Sequence, residues 1–82
     1  MKTVKISLGS VTGNVIDNVK AFVNILTKFD NDFDLVSGRY VIDAKSIMGI
    51  FSLDLSKDIE LNIHAEGDVS DIINALEPYI VK

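Results

Sequence analysis

The stretch that decides the fold class is residues 59–65, which read IELNIHA. Apolar and polar side chains alternate strictly here, and this two-residue period predicts a β-strand with one buried face and one face in water. Strands of this kind are typical of antiparallel sheets, because parallel sheets are normally covered by helices on both faces. The rest of the chain must therefore supply partner strands, and helices for one face only.

The N-terminal part predicts a strand followed by a helix. Residues 2–8 alternate in the same way as residues 59–65, and the loop that begins at Gly9 ends this strand. Apolar residues then recur at helical spacing up to about Lys28, which predicts an amphipathic helix. We expect Asn14 to cap this helix with its side-chain oxygen, and Asp17 to place a negative charge on the first turn, where the helix dipole is positive.

The remainder predicts a hairpin, two helices and the strand already described. Phe33 and Leu35 mark one strand, and residues 40–44 form the next after a turn at Ser37-Gly38. A short helix begins after Ser46. The order β-α-β-β-α-β-α predicts an α+β domain over residues 1–82, with a four-stranded antiparallel sheet and three helices on one face.

The last helix is expected to begin near Asp68, and it contains the one proline of the chain, Pro78. Proline has no amide hydrogen to donate and disfavours helical geometry at the residue before it. The helix should therefore stop or kink near residues 76–77. Ile80 is then expected to pack against the sheet, and Tyr79 to lie at its edge with the hydroxyl in water.

Composition excludes several function classes. The 82 residues include 12 acidic and 8 basic side chains, a net charge of −4, with no cysteine and one histidine. A disulfide framework, a thiol nucleophile and a multi-histidine metal cluster are impossible, and the scattered Lys and Arg argue against nucleic-acid binding. No apolar run approaches the length of a membrane span. We expect a cytoplasmic protein without metal or cofactor.

Three local features resemble functional sites, but each lacks a residue that such a site needs. Asp30, Asp32 and Asp34 resemble the start of a calcium-binding loop, but the glycine and closing glutamate that such a loop needs are missing. The glycine-rich segment 9–13 lacks the Lys-Ser or Lys-Thr ending of a nucleotide-binding loop. His64 lies on the polar face of its strand, where it has no nearby hydroxyl to activate. We therefore expect no enzymatic activity.

Residues 45–50, KSIMGI, resemble the regulatory-site motif of HPr, the histidine-containing phosphocarrier of the sugar phosphotransferase system. The resemblance covers nearly the whole chain and implies an HPr-like open-faced β-sandwich. Further similar positions follow in the same order as in the family: 28–30, 52–53, Lys57, 59–65, Gly67 and 74–76.

The phosphorylation signature of the family is altered in this sequence. In the family, the first helix starts with a glycine, the phosphorylated histidine, an arginine and a proline. Here Gly13 is retained, but the resemblance places Val15 at the histidine position, Asp17 at the arginine and Asn18 at the proline. Valine is not a nucleophile and aspartate repels phosphate, which implies that the chain is not a phosphoryl carrier.

The resemblance also implies a regulatory site at Ser46, which on sequence physics alone is a plain helix cap. Of the apolar residues after it, we expect Ile47 and Ile50 to pack inward and at least Met48 or Phe51 to be exposed. The predicted partner-binding residues are Ile47, Met48, Phe51 and Lys20.

Three functional hypotheses follow. The first is a regulatory or docking protein whose partners are phosphotransferase-system proteins, HPr kinase or a transcriptional regulator. The second is a binder of a small anion or metabolite, held by the backbone amides at Gly13, Asn14 and Val15. The third is an interaction module that retains only the fold.

Overall fold

The structure, a computed structural model, describes residues 1–9 and 13–81. Its elements follow the predicted order and end in an additional 3₁₀ turn, so the α+β prediction is confirmed. Within the described residues, no helix is both long and apolar enough to cross a membrane. The elements are β1 (Lys2–Ile6), α1 (Val15–Thr27), β2 (Asp32–Ser37), β3 (Tyr40–Asp43), α2 (Ile47–Phe51), β4 (Ile59–His64), α3 (Ser70–Ala75) and the 3₁₀ turn (Glu77–Tyr79).

The four strands form one antiparallel sheet in the order β1-β4-β2-β3. The central strand β4 pairs with β1 on one side and β2 on the other, so Ile63 lies opposite both Lys2 and Phe33. The predicted hairpin joins β2 to β3 through a two-residue turn. Gly38 occupies this turn with φ +61°, a left-handed conformation that glycine adopts without steric cost.

The alternation in β4 sets the two faces of the sheet. Its apolar side chains are buried, and the helices cover this face, whereas Glu60 and His64 are exposed on the opposite face. The core face of α1 consists of the residues that its spacing predicts, Val19, Phe22, Val23 and Leu26. The apolar side chains of the strands and of α1 therefore form one layer between the sheet and the helices.

The N-terminal strand ends at Ile6, two residues earlier than its alternation predicts. The Ser7 N–H donates instead to the Tyr79 carbonyl at 2.8 Å, and Ile80 forms an isolated bridge with Ile6. Leu8 is still fully buried beyond the end of the strand. The C-terminal tail therefore pairs with the outer edge of β1, on the side away from β4.

Pro78 ends the last helix as predicted. The helix α3 stops at Ala75, and Pro78 lies in the 3₁₀ turn that follows. Ile80 packs partly buried against the core. The prediction for Tyr79 is wrong: its side chain is only 7% exposed, because the turn directs the ring into the core rather than along the sheet edge.

Candidate functional site

The N-terminus of α1 is organised by Asn14. Its Oδ1 accepts a hydrogen bond from the Ile16 N–H at 2.7 Å, and its backbone carbonyl accepts one from the Asn18 N–H at 3.0 Å. The predicted cap is therefore confirmed. Val15 is the first helical residue and is half-buried, and Asp17 lies in the first turn. No side chain in this set offers the nucleophilic nitrogen that a phosphohistidine site needs.

The same helix start is the predicted anion site. Gly13 and Asn14 are exposed beside half-buried Val15, and Gly13 has φ +105°. The Asn14 side chain already satisfies one of the first helical amides, and the Asp17 carboxylate would repel an anion. The rest of the loop, residues 10–12, lies outside the described residues.

Ser46 caps α2. Its Oγ accepts a hydrogen bond from the Gly49 N–H at 3.2 Å, and the residue is exposed. The nearby serine hydroxyls are used differently, since Ser52 donates to the Gly49 carbonyl at 2.5 Å and Ser56 donates to the Asp54 carboxylate at 2.6 Å. The hydroxyl of Ser46 is thus a hydrogen-bond acceptor at an accessible helix start.

The apolar residues of α2 are unequally buried. Ile50 is fully buried, whereas Met48 is 81% exposed and Phe51 39% exposed, as the sequence predicts. Ile47 is 37% exposed, so the expectation that it packs inward is wrong. The helix has only five residues and Ile50 is the one that the core encloses.

A neighbouring set of exposed residues lies on α1, which packs against α2. Lys20 is exposed, as expected for a partner-binding residue, and Ile16 is 47% exposed. Ile16 was missed by the sequence analysis, although its position outside the apolar stripe of α1 is the signal that could have found it. We refer to Ile16, Lys20, Ile47, Met48 and Phe51 as the α1–α2 surface.

The side chain of Lys45, which precedes the capping serine Ser46, contacts other residues of the domain. Its ammonium donates to the Phe29 carbonyl at 2.9 Å and lies 5.5 Å from the centre of the Phe33 ring. The long side chain thereby connects Phe29, which follows α1, to Phe33 in β2. This lysine has a structural role that the sequence pattern did not reveal.

His64 lies on the open face of the sheet, away from the helices. Its Nε2 is 2.5 Å from the Asp34 carboxylate on the neighbouring strand. The sequence does not predict this pair, because it depends on the register between β2 and β4. Among residues 1–9 and 13–81, no three His, Cys, Asp or Glu side chains are grouped so that they could bind a metal ion.

The chain is thus a small α+β protein with an open-faced antiparallel sheet, and a capping serine lies beside exposed apolar residues on α2. The family model described as PTS HPr component phosphorylation site matches residues 3–81. The chain therefore belongs to the HPr family of the phosphotransferase system. Proteins of this family are phosphocarriers that interact with other components of that system, and they are not themselves classical enzymes.

Solved structures agree with this assignment. HPr-C-His from Thermoanaerobacter tengcongensis is 34% identical, with a TM-score of 0.73 over 94% of this chain and 88% of that chain. The phosphocarrier protein HPr from Bacillus anthracis str. Ames is 26% identical, with a TM-score of 0.65 over 98% and 94%. A Mycoplasma histidine-containing phosphocarrier protein, 14% identical with a TM-score of 0.63 over 93% and 85%, shares the fold.

Proposed function

We propose that this HPr-family chain does not carry phosphate on a histidine and acts instead as a regulatory or docking protein of the phosphotransferase system. The observation that carries the proposal is the start of α1. Val15 occupies its first helical position and Asp17 lies in its first turn. Phosphoryl transfer there would need an imidazole nucleophile and a cation, and these two side chains supply an isopropyl group and a negative charge.

His64 does not replace the missing nucleophile in this proposal. It lies on the sheet face opposite the helices, and its Nε2 contacts the Asp34 carboxylate. The neighbouring Asp32 lies directly across from it in the sheet. Carboxylates on this face would repel the anionic phosphoryl donor.

Docking is assigned to the α1–α2 surface. Met48 exposes most of its side chain, and Ile47 and Phe51 expose more than a third of theirs. Exposed apolar side chains grouped on one short helix are typical of protein interaction sites, and methionine adapts easily to different partners. Lys20 adds a positive charge for an acidic partner surface. The partners in this proposal are other phosphotransferase-system proteins, HPr kinase or a transcriptional regulator.

Ser46 is the proposed regulatory phosphorylation site. Its hydroxyl is at the surface and at the start of a helix, where a phosphate is favoured by about 0.3–1 kcal/mol per interaction with the dipole. The modification would add negative charge directly beside Ile47 and Met48. Phosphorylation would therefore change the docking surface while leaving the core in place.

Two incubations test the proposal. The protein is treated with HPr kinase and ATP, or with enzyme I and phosphoenolpyruvate, and its intact mass is measured. We expect one acid-stable phosphate on Ser46 in the first case and none in the second. An acid-labile phosphate on His64 would contradict the loss of carrier function.

The matched control variant is Ser46→Asn. Asparagine caps helices as well as serine does, so the fold is kept while the phosphorylated hydroxyl is removed. This variant should remain unmodified and fully folded. Phosphate that persists in Ser46→Asn, on Ser52 or Ser56, would show that the assigned serine is incorrect.

A further inference from the structure

The two methionines of the chain lie in different surroundings. Met48 is 81% exposed on α2, and Met1 is 72% exposed. Met1 lines a surface pocket together with His64 and Glu66, and His64 lies on the open face of the sheet, away from the helices. Both methionine side chains are therefore accessible to small reagents in water, but Met48 belongs to the α1–α2 surface and Met1 does not.

The geometry of α2 keeps Met48 at the surface. Ile50 is fully buried, and two residues along an α-helix correspond to a rotation of about 200°, so Met48 lies on the side of α2 opposite to the core. Phe51 follows Met48 by three residues, and residues at this spacing are neighbours on a helix surface. Met48 is the most exposed apolar side chain of the α1–α2 surface.

The thioether of methionine can be oxidised reversibly. In the reaction with hydrogen peroxide, a sulfur lone pair forms a bond to one peroxide oxygen, the O–O bond breaks, and the second oxygen leaves as water with both peroxide protons. Sulfur is oxidised, peroxide is reduced, and the product is a polar sulfoxide. Methionine sulfoxide reductases reverse the change, in which two thiols become a disulfide and the sulfoxide oxygen leaves as water.

On the basis of the docking function proposed above, we propose that Met48 is a reversible oxidation site that regulates the α1–α2 surface. The sulfoxide oxygen is a hydrogen-bond acceptor, and its burial in an apolar interface is costly because its hydrogen bonds to water are lost. The thioether has no such cost and adapts to the shape of a partner. Oxidation therefore weakens docking, and reduction restores it.

This regulation differs from phosphorylation of Ser46. The Ser46 Oγ accepts from the Gly49 N–H at 3.2 Å and so belongs to the helix cap, whereas the Met48 side chain points away from the core into water. Oxidation of Met48 adds no charge and removes no cap. The fold and the start of α2 are therefore expected to be the same before and after oxidation.

The test compares peroxide-treated and untreated samples of the same protein. After hydrogen peroxide has been removed by gel filtration, trypsin releases residues 46–57, which contain Met48, and mass spectrometry detects one added oxygen. Binding to purified HPr kinase is measured by isothermal titration, and circular dichroism checks the fold. We expect oxidation to weaken binding about tenfold. Methionine sulfoxide reductases for both epimers, with dithiothreitol, should restore it.

The matched control is Met48→Leu, in which Met1 is the remaining methionine. The affinity of this variant after peroxide is compared with its own affinity before peroxide, and the two should be equal. An equal loss in the parent and in Met48→Leu would assign the effect to Met1 or to general damage and overturn the proposal. A Met48 that stays reduced while Met1 is oxidised would also overturn it.

The untreated parent separates regulation from docking. If the untreated parent does not bind the kinase, docking to this partner is wrong, and regulation of that docking by Met48 is overturned with it. If the untreated parent binds and the protein oxidised at Met48 binds equally well, the oxidation proposal alone is overturned.

Discussion

The ring of Tyr79 meets the ring of Phe22 edge to face, with centroids 5.7 Å apart and planes at 75°. Tyr79 belongs to the turn after α3, and Phe22 is fully buried on the core face of α1. The contact joins the C-terminal tail to α1. The backbone of the same tail bonds to β1, so the tail contacts both the sheet and α1.

Tyr79→Ala should lower the free energy of unfolding by about 3 kcal/mol, because it removes a buried aromatic side chain and leaves a cavity beside Phe22. Urea denaturation followed by far-UV circular dichroism measures this loss. Tyr79→Phe keeps the ring contact and serves as the control. A loss below about 1 kcal/mol in Tyr79→Ala would mean that the tail contributes little to the core.

Pro78→Ala separates two effects of the proline. From the sequence alone, removal of Pro78 is expected to lengthen the last helix, unless the tail after it is packed. The tail is packed, with Tyr79 buried and the Val81 N–H bonded to the Lys5 carbonyl. We therefore expect no gain in helix content and a loss of about 0.5–1 kcal/mol in stability, since alanine gives the unfolded chain more freedom. A higher melting temperature with increased helical signal would contradict this.

The elements of the fold could be predicted because each depends on local patterns. The alternation in residues 59–65, the helical spacing of α1, the caps at Asn14 and Ser46, and the stop at Pro78 all involve neighbouring residues. Their chemistry is largely decided before the chain folds.

The missed features depend on distant contacts. The pairing of His64 with Asp34 requires the β2–β4 register, and the burial of Tyr79 requires the tail to reach both β1 and α1. The exposure of Ile47 depends on how the core surrounds a helix of five residues. No local pattern contains this information.

Gly9→Ala should destabilise the domain by about 1–3 kcal/mol, because a Cβ at this position would lie 2.5 Å from the Leu55 carbonyl oxygen and the backbone would have to move. Gly67 is the comparison, since it has φ +86° and open space around it. Asparagine tolerates left-handed geometry, so Gly67→Asn should be milder than Gly67→Ala, whereas Gly9→Asn should not improve on Gly9→Ala. If the Ala and Asn variants differ in melting temperature by the same amount at both sites, the steric clash with the Leu55 carbonyl oxygen at Gly9 is contradicted.

Ser70→Ala should raise the pKa of Asp68. In the parent protein, hydrogen bonds from the Ser70 hydroxyl and the Ser70 N–H hold the pKa of the Asp68 carboxyl below its ordinary value of 3.8. A lowered folded-state pKa stabilises the fold above the ordinary value, and this contribution is lost as the pH falls through the folded-state pKa. NMR titration of the Asp68 side chain measures the shift. Ser56→Ala, which removes the corresponding hydroxyl beside Asp54, is the control and should leave Asp68 unchanged.

Met48→Asp should weaken binding to HPr kinase by at least about tenfold, because burial of an unpaired carboxylate in an apolar interface is costly. Met48 is 81% exposed, so its replacement should change the stability of the domain by less than about 0.5 kcal/mol. Met48→Leu preserves the apolar contact and should bind as the parent does. Binding is measured by isothermal titration with the purified kinase, and Phe51→Asp provides a second variant on the same helix. If both aspartate variants bind like the parent while their phosphorylation at Ser46 is unchanged, the α1–α2 surface does not contact this partner.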